Sequence, residues 1–450
     1  MLITNAKLIT WEDPNQVLEG QAILINSDRI EAISPEDQLA AQYPNSEKLD
    51  AGGQYVMPGN ICAHTHFYGA FARGLAIPGA APKDFPEILR KLWWPLDKSL
   101  GIEDVRASAE VMLVDAVKHG TTTLIDHHAS PNAIDGSLDV IADAVNQSGL
   151  RAVLCYEVTD RDGLDKARAG IRENVRFLER NLAERLAGGR VAGTFGLHAS
   201  LTLSDKTLDA CRDAAPDGEG FHIHVAEHEA DEYDSMGKSG TRVVDRLSEH
   251  GILGPKTIVA HAIHIDIKEA ELLADTGTWV THQPRSNMNN GVGAAPVEEL
   301  LRAGIKVGIG TDGFSHTMWE EWKTAYLLHK VWHRDPRRFS GIDAVRLGVY
   351  NNAALANKFF PEAPLGKLVQ GAFADLIFVD YHPHTPLTEG NLPWQIIFGF
   401  HESMITTTIV AGEVLMRDRQ LLTLDEETIT AKARQLAPQV WERYNTFVPN

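Results

Sequence analysis

Cysteine is scarce in this sequence of 450 residues, and its placement excludes two kinds of structure. The three cysteines, Cys62, Cys155 and Cys211, lie far apart, and none belongs to a Cys-x-x-Cys pair. Because their number is odd and their spacing irregular, they argue against a disulfide framework and against a thiolate zinc site. The scarcity of cysteine suits a protein of a reducing compartment.

Positive charge and long apolar runs are also in short supply. The 42 Lys and Arg residues are outnumbered by 61 Asp and Glu residues, which gives a formal net charge of -19 at pH 7. Such a charge opposes binding to the phosphate backbone of nucleic acids and to anionic membrane surfaces. No apolar run approaches membrane-spanning length, and the first residues lack a basic segment followed by an apolar one. We therefore expect a cytoplasmic protein with no nucleic-acid or membrane partner, although a single base or nucleoside stays open as a substrate.

Strand-like and helical segments alternate through the middle of the chain. Short apolar runs follow one another from residue 56 to residue 312, separated by amphipathic stretches of helical periodicity. Eight strand-plus-helix units predict a (β/α)8 barrel; a doubly wound open sheet is the alternative, although the first run lacks a Gly-rich phosphate loop. The predicted barrel strands are Val56 to His66, Thr121 to Asp126, Ala152 to Glu157, Gly193 to His198, Gly220 to Ala226, Thr257 to His261, Thr278 to His282 and Lys306 to Asp312.

Short strands are predicted at both ends of the chain. Residues 1–57 contain strand-like runs, two of them joined at Asn26-Ser27-Asp28 as a hairpin, and further runs occur in residues 366–424. The predicted fold is therefore α/β: a (β/α)8 TIM-like barrel at residues 58–365, with a small composite β-sandwich domain built from residues 1–57 and 366–424. Residues 425–450 are predicted to form a C-terminal helix.

One predicted connection is much longer than the others. Residues 67–101, after the first barrel strand, include Trp93, Trp94 and several prolines. Loops of this length in compact domains are often lids or binding loops. The alternative is that the two tryptophans only pack the connection onto the barrel.

Two histidines mark the end of the first predicted barrel strand. His64 and His66 follow the sequence Met57-Pro58-Gly59 and a short apolar run. Because side chains alternate along a strand, both imidazoles point to the same face and can bind one metal ion. Taken alone, the pair is also explained as hydrogen-bonded core histidines, so the interpretation depends on the other strand ends.

Other predicted strands end in residues of the same kind. The fifth carries His222 and His224 with Glu227 shortly after, the sixth ends in His261 and the eighth in Asp312. Barrel enzymes place reactive groups at the carboxyl ends of their strands, and imidazoles with a carboxylate suit Zn²⁺ or Fe²⁺. On the fifth strand, His224 is predicted to bind the metal because it lies nearer the strand end. His222 is predicted to make structural hydrogen bonds.

These motifs resemble those of the amidohydrolase superfamily, in its branch of aminohydrolases and chlorohydrolases that act on heterocycles. The resemblance rests on the His-x-His after Pro-Gly, the later His-x-x-Glu, the lone His261 and the Gly-Thr-Asp-Gly at 310–313. It spans essentially the whole chain. Three segments resemble the SsnA-type aminohydrolases more closely: Leu92-Trp93-Trp94, Asp126-His127-His128-Ala129-Ser130-Pro131 and Arg285-Ser286-Asn287-Met288-Asn289-Asn290.

The resemblance implies a metal site, catalytic residues and a homodimer. The implied metal ligands are His64, His66, His224 and Asp312, and the implied catalytic residues are Glu227, His261 and Asp312. Relatives with two metal ions use a carboxylated lysine on the fourth strand, and this chain has no lysine between Gly193 and His198. One divalent ion is therefore expected, Zn²⁺ with Fe²⁺ as the alternative.

The implied reaction is hydrolytic deamination of an aminated heterocycle such as a purine, pyrimidine or pterin. Asp312 would accept a proton from the attacking water, which His261 orients, and Glu227 would protonate the ring nitrogen beside the leaving amine. Removal of chloride or an alkylamine, or hydrolysis of a cyclic amide, are the alternatives because the same site serves them. A non-catalytic scaffold is disfavoured because the set of implied ligands is complete.

Four side chains are candidates for contacts with the substrate. Trp93, Trp94 and His128 suit a flat, polar ring. His198 matches a position that contacts substrate in related deaminases, although a lone histidine at a strand end also suits a structural role. The branch usually has His-Asn-Pro after the seventh strand, whereas this chain has His282-Gln283-Pro284, so the resemblance does not establish substrate contacts from that loop.

Overall fold

The computed structural model describes residues 1–449 and begins with a mainly β segment. Five strands and one helix precede the barrel: β1 Leu2–Ile9, β2 Val17–Asn26, β3 Arg29–Pro35, α1 Glu36–Gln42, β4 Lys48–Asp50 and β5 Tyr55–Pro58. The predicted hairpin is confirmed, since β2 and β3 are antiparallel and Asn26 pairs with Arg29 across a two-residue turn.

The strands of the barrel follow in the predicted order. They are β6 Asn60–Thr65, β7 Thr121–Asp126, β8 Arg151–Leu154, β9 Val191–Gly193, β10 Phe195–Ala199, β11 Phe221–Val225, β12 Ile258–His261, β13 Trp279–His282 and β14 Val307–Ile309. Residues of β6 and β7 are buried along the whole strand, as expected for strands covered on both faces.

Helices lie between these strands and after them. They are α2 Phe85–Ile88, α3 Trp94–Ser99, α4 Ile102–Lys118, α5 Ser137–Ser148, α6 Leu164–Leu186, α7 Asp205–Ala214, α8 Glu229–Ser239, α9 Val243–Glu249, α10 Ile267–Thr276, α11 Pro284–Asn290, α12 Val297–Arg302, α13 Met318–His333, α14 Gly341–Val345 and α15 Asn352–Phe359. No helix within residues 1–449 is long and apolar enough to cross a membrane.

Two parallel sheets make up the barrel. One has the order β6-β7-β8-β9 and the other β10-β11-β12-β13-β14. Only Thr194 separates β9 from β10, so together they form the predicted fourth strand of the ring. Single parallel bridges connect the two sheets, from Val158 to Leu197 and from Thr65 to Asp312. The (β/α)8 architecture is confirmed, with a backbone ladder that is interrupted at these two places.

The predicted first barrel strand is in fact two strands. Residues 55–58 pair with β1 in the outer sheet, and only Asn60–Thr65 enters the barrel. The chain changes sheets at Gly59, where a β-carbon would lie 2.2 Å from Thr122 Cγ2. A side chain at this position would therefore collide with β7, which explains a glycine that the apolar pattern does not reveal.

The outer sheet combines both ends of the chain, as predicted for the composite β-domain. Its later elements are β15 Leu376–Val379, α16 Leu392–Gly399, β16 Ile405–Val410, β17 Glu413–Arg417, β18 Gln420–Leu421 and α17 Glu426–Phe447. The sheet has nine strands in the order β18-β17-β16-β15-β5-β1-β2-β3, with β4 on β1. Helix α17 packs on α3 and α4, so the predicted C-terminal helix closes over the long connection and the barrel.

Candidate active site

Most of the predicted site residues meet at the carboxyl ends of the barrel strands. The residues at this end are His64 and His66 on β6, His224 and Glu227 on and after β11, His261 on β12, and Asp312 after β14. All are buried except His224, which is partly exposed to the cavity above it. The fold thus brings together side chains separated by as many as 248 positions in sequence, from His64 to Asp312.

Hydrogen bonds to backbone carbonyls set the ring orientation of two histidines. His66 Nδ1 lies 2.6 Å from the carbonyl oxygen of His127, and His224 Nδ1 lies 2.8 Å from that of His198. Each Nδ1 therefore carries the proton and donates it, which leaves the lone pair on Nε2 in the neutral ring. The two Nε2 atoms are 3.3 Å apart and face each other. This arrangement suits two nitrogens that bind one cation.

His64 completes the set of imidazoles from a deeper position. Its Nδ1 lies 2.9 Å from His222 Nε2, so His222 orients a neighbouring ring. His64 Nε2 is buried and has no hydrogen-bond partner within residues 1–449. A buried nitrogen without a partner is costly unless a ligand satisfies it. His64, His66 and Asp312 can each direct one ligand atom to a common point, and these atoms lie within 4.8 Å of one another.

The carboxylate of Asp312 makes this point favourable for positive charge. Its Oδ1 lies 3.2 Å from His66 Nε2, and its Oδ2 accepts a hydrogen bond of 2.6 Å from Ser286 Oγ. Burial alone would raise the pKa of Asp312, but the imidazoles of His66 and His261 beside it lower it. Burial alone would lower the pKa of His66, but Asp312 raises it to about 9. The donor set therefore fits a divalent cation.

Glu227 and His261 lie beside Asp312 as a second group. His261 Nε2 is 3.4 Å from Glu227 Oε2 and 3.7 Å from Asp312 Oδ2. Burial and the charge of Asp312 hold the pKa of Glu227 well above its usual range. Burial lowers the pKa of His261, whose Nδ1 lies 2.9 Å from Asn287 Oδ1. Glu227 thus suits a group that holds a proton, and neutral His261 presents a lone pair at Nε2.

The backbone at these strand ends adopts a conformation that non-glycine residues rarely take. The φ angles are 48° at Ala226, 74° at His261, 49° at Ala262 and 54° at Asp312. Positive φ costs energy for residues with a β-carbon, and such residues concentrate at functional sites. Their occurrence at three strand ends agrees with a site whose side chains are held in fixed directions.

Helix α11 holds three of these side chains from outside, and the sequence did not reveal this function. Ser286 donates to Asp312, Asn287 Oδ1 accepts from His261, and Asn290 Nδ2 donates to Glu227 Oε1 over 3.2 Å. In the sequence, the segment 285–290 stands out only by its resemblance to the SsnA-type aminohydrolases. The signal for its role was its position directly after the seventh strand, where α11 begins at Pro284.

Glu157 is a second residue that the sequence analysis did not single out. It follows β8, and its Oε1 lies 3.1 Å from His127 Nδ1 and 3.6 Å from His66 Nδ1. Burial would raise the pKa of Glu157, but the imidazoles of His127 and His198 hold it well below its usual range. A buried carboxylate therefore lies behind His66, on the side away from Asp312.

A cavity of about 570 Å³ opens above these residues. Trp93 and Trp94 both line it, and Trp93 also packs against Tyr68 with ring centroids 6.2 Å apart. The long connection 67–101 thus forms one wall of the cavity, and both tryptophans also pack against the core. His198 also lines the cavity, and its Nδ1 lies 2.7 Å from Thr202 Oγ1.

The structure does not bring His128 to the cavity. Its side chain is completely buried, and its Nε2 lies 2.9 Å from Ser130 Oγ. The ring of Tyr68, which does line the cavity, packs against His128 with centroids 6.0 Å apart. The contact between His128 and the substrate stays a prediction; in this structure Tyr68 lines the cavity and His128 does not.

The barrel, the converging imidazoles and the paired carboxyl groups define the class of metal-dependent barrel hydrolases. Comparison with known sequences identifies the family within this class. A sequence model of the Amidohydrolase family matches residues 55–415. The chain belongs to the amidohydrolase family, as its motifs indicated.

Curated relatives resemble the chain over nearly its full length. The 5-methylthioadenosine/S-adenosylhomocysteine deaminase of Haloarcula marismortui is 32% identical over 98% of this chain and 99% of the relative. The 5'-deoxyadenosine deaminase of Methanosarcina mazei is 31% identical over 99% of both chains. These matches therefore span both the barrel and the outer sheet of this chain.

Solved structures share the fold at lower sequence identity. An adenosine deaminase from Xanthomonas campestris with bound zinc superposes with a TM-score of 0.84 at 23% identity, covering 99% of this chain and 98% of its own. The guanine deaminase of E. coli superposes with a TM-score of 0.79 at 18% identity, over 92% and 99% of the two chains. At these identities the similarity supports the fold.

Proposed function

We propose that this protein removes the amino group of an adenine-type ring by metal-dependent hydrolysis and releases ammonia. The observation that carries the proposal is the convergence of Glu227, His261 and Asp312 with the imidazole set below one cavity. Deaminases of adenosine-type compounds resemble this chain over nearly its whole length, which supports the same reaction.

The proposed metal ligands are His64, His66, His224 and Asp312. Support comes from the hydrogen bonds at each Nδ1, which leave each Nε2 directed to the same region. Three imidazoles and a carboxylate suit Zn²⁺, with Fe²⁺ as the alternative. When bound, such an ion supplies Lewis-acid activation of water, lowering the pKa of that water from about 15.7 to roughly 7.

The side chains of the protein would move the protons. Asp312, ionised at neutral pH, accepts a proton from the attacking water, and the lone pair of His261 Nε2 orients that water. Glu227 gives its proton to the ring nitrogen beside the carbon under attack. Departure of the amino group, with the proton delivered through these carboxyl groups, leaves a carbonyl on the ring and ammonia as the second product.

The dimensions and lining of the cavity support a nucleoside rather than a free base. A volume of about 570 Å³ exceeds the needs of one flat ring, and falls within the usual range for ligand pockets. Aromatic side chains line its wall, so a purine can stack there while its attached group extends toward the opening. We propose that His198 contacts the ring, since it lines the cavity near His224.

Release of ammonia from metal-loaded protein tests the proposed function. Adenosine, 5'-deoxyadenosine, 5-methylthioadenosine and S-adenosylhomocysteine should release ammonia, and the product should absorb as the corresponding hypoxanthine nucleoside. Guanine and a chlorinated triazine serve as comparison substrates. Release of chloride or an alkylamine, with no ammonia from any aminated ring, would contradict the proposal.

We also propose a homodimer, which the resemblance to the amidohydrolase branch implied. Support comes from an apolar surface on α13, α14 and α16, three helices that pack together. Its exposed residues, each between 50% and 77% accessible, are Leu327, Val331, Trp332, Ile342 and Phe398. Exposed apolar surfaces of this kind are typical of protein interfaces.

The three free, buried cysteines suit the proposed cytoplasmic location.

Val331→Asp should convert the proposed dimer to a monomer. Val331 is 77% exposed in a single chain, so the substitution should cost the monomer little stability, whereas a carboxylate buried between two chains is unfavourable. Leu186→Asp, at a residue 72% exposed on α6, is the matched control and should leave the dimer intact. Light scattering during gel filtration gives the mass, and a monomeric unmodified protein would refute the prediction.

A further inference from the structure

Asn290 is the last residue of α11. It is hydrogen-bonded to the carboxyl group of Glu227 directly and to that of Asp312 through Ser286. Its Nδ2 lies 3.2 Å from Glu227 Oε1 and 3.3 Å from Ser286 Oγ. Ser286 in turn donates to Asp312 over 2.6 Å. One carboxamide therefore connects the two acidic residues that exchange protons in the proposed reaction.

The hydrogen-bond inventory of this network is complete. A carboxamide nitrogen has two hydrogens, and Asn290 directs one to Glu227 and one to Ser286. The single hydroxyl hydrogen of Ser286 goes to Asp312, so Ser286 accepts from Asn290. Asn290 Oδ1 accepts a hydrogen bond of 3.1 Å from Asn289 Nδ2, which determines that the nitrogen faces the carboxyl groups.

We infer that Asn290 is a positioning residue that determines which oxygen of Glu227 carries the proton. The inference rests on the proposed deamination. Because Oε1 accepts an N–H hydrogen bond, the proton of the carboxylic acid belongs on Oε2. Oε2 is the oxygen that lies 3.4 Å from His261 Nε2, the atom that orients the attacking water in the proposed reaction, and Glu227 lines the cavity. Asn290 therefore presents the proton of Glu227 toward the place where the ring nitrogen must receive it.

A misdirected carboxyl group should slow the chemical step more than it weakens binding. Proton transfer needs the acid within hydrogen-bond reach of the ring nitrogen, and errors of about 1 Å cost on the order of 100-fold in rate. Asn290 lines the cavity at its wall, so a direct contact with the substrate is the competing explanation. A contact of that kind would raise KM instead of lowering kcat.

Two substitutions distinguish the effect of the hydrogen bond that Asn290 donates from the effect of the space that its side chain fills. Asn290→Ala removes both, whereas Asn290→Asp keeps the shape of the side chain but replaces the donor with a carboxylate oxygen. We expect kcat to fall about 10- to 100-fold in both variants, with KM changed less than about threefold. Asn290→Asp should be at least as slow as Asn290→Ala. Metal content and melting temperature should match the unmodified protein.

Met288→Ala is the control, because Met288 is exposed on the same helix and does not line the cavity. It should retain unmodified kcat and KM. The inference is overturned if Asn290→Asp keeps nearly full activity, or if either variant changes KM alone. The proposed function fails separately, and beforehand, if the metal-loaded unmodified protein releases no ammonia from adenine-type nucleosides.

Discussion

Replacing Glu227 with glutamine should reduce ammonia release by about 10²- to 10⁴-fold while the protein keeps its metal ion. Glutamine has nearly the same shape and can still accept the hydrogen bond from Asn290, but it cannot give a proton to the ring nitrogen. Burial and the charge of Asp312 raise the pKa of Glu227, which favours the protonated acid that the glutamine variant lacks. Steady-state kinetics measure the rate of ammonia release, and metal analysis of the same preparation measures the metal content.

A second glutamate on the same segment supplies the control for this experiment. Glu229 lies two residues further on, at the exposed start of α8, and its carboxylate lies within 3.2 Å of the Tyr233 hydroxyl. Glu229→Gln makes the same chemical change outside the cavity and should leave kcat unchanged. A Glu227→Gln protein with activity close to that of Glu229→Gln would remove Glu227 from its assigned role.

Replacing His224 with asparagine should remove the metal ion and with it all measurable deamination. The asparagine amide can replace Nδ1 in the hydrogen bond to the His198 carbonyl, but it offers nothing at the position of Nε2. Because catalytic zinc sites typically rely on about three or four protein ligands, loss of one should leave far less than one ion per chain after dialysis. Metal analysis by mass spectrometry measures the stoichiometry.

The comparison with His222 tests the choice between two histidines of one strand. His222→Gln places a carboxamide near the position of Nε2, which lies 2.9 Å from His64 Nδ1 in the unmodified protein. Loss of an orienting partner typically weakens metal affinity about 10- to 100-fold, so His222→Gln should still bind the ion at saturating concentration. The reverse outcome, with metal lost from His222→Gln and kept by His224→Asn, would assign the ligand to His222.

Much of the barrel was predictable because strands alternate with helices in a regular order. The apolar runs near residues 121–126, 257–261 and 278–282 coincide with β7, β12 and β13 within one residue. Two runs misled the prediction, at Gly59 and at Thr194, where a strand is divided between sheets or interrupted. Pro58-Gly59 interrupts the first run and Thr194 is a single polar residue between Gly193 and Phe195, but neither feature shows that the hydrogen-bonding partner of the strand changes there.

Residues at the strand ends were also predictable, whereas those that support them were not. Consecutive parallel strands bring their carboxyl ends to one rim, so His66, His224 and Asp312 could be grouped without coordinates. Glu157 and Asn290 carry no comparable signal, since isolated Glu and Asn residues usually lie on the surface. His128 is predicted from its motif to contact the ring, yet its side chain is buried and does not line the cavity.

The sequence by itself determined the chemistry that this protein has available: imidazoles and carboxyl groups at strand ends, without thiolates or a lysine on the fourth strand. Only the tertiary structure decided how those groups are used. The carbonyl oxygens of His127 and His198, which neighbouring strands supply, accept hydrogen bonds from Nδ1 of His66 and His224. These bonds leave Nε2 as the free nitrogen of each ring. Proton positions depend on partners distant in sequence, and these partners meet only when the barrel has formed.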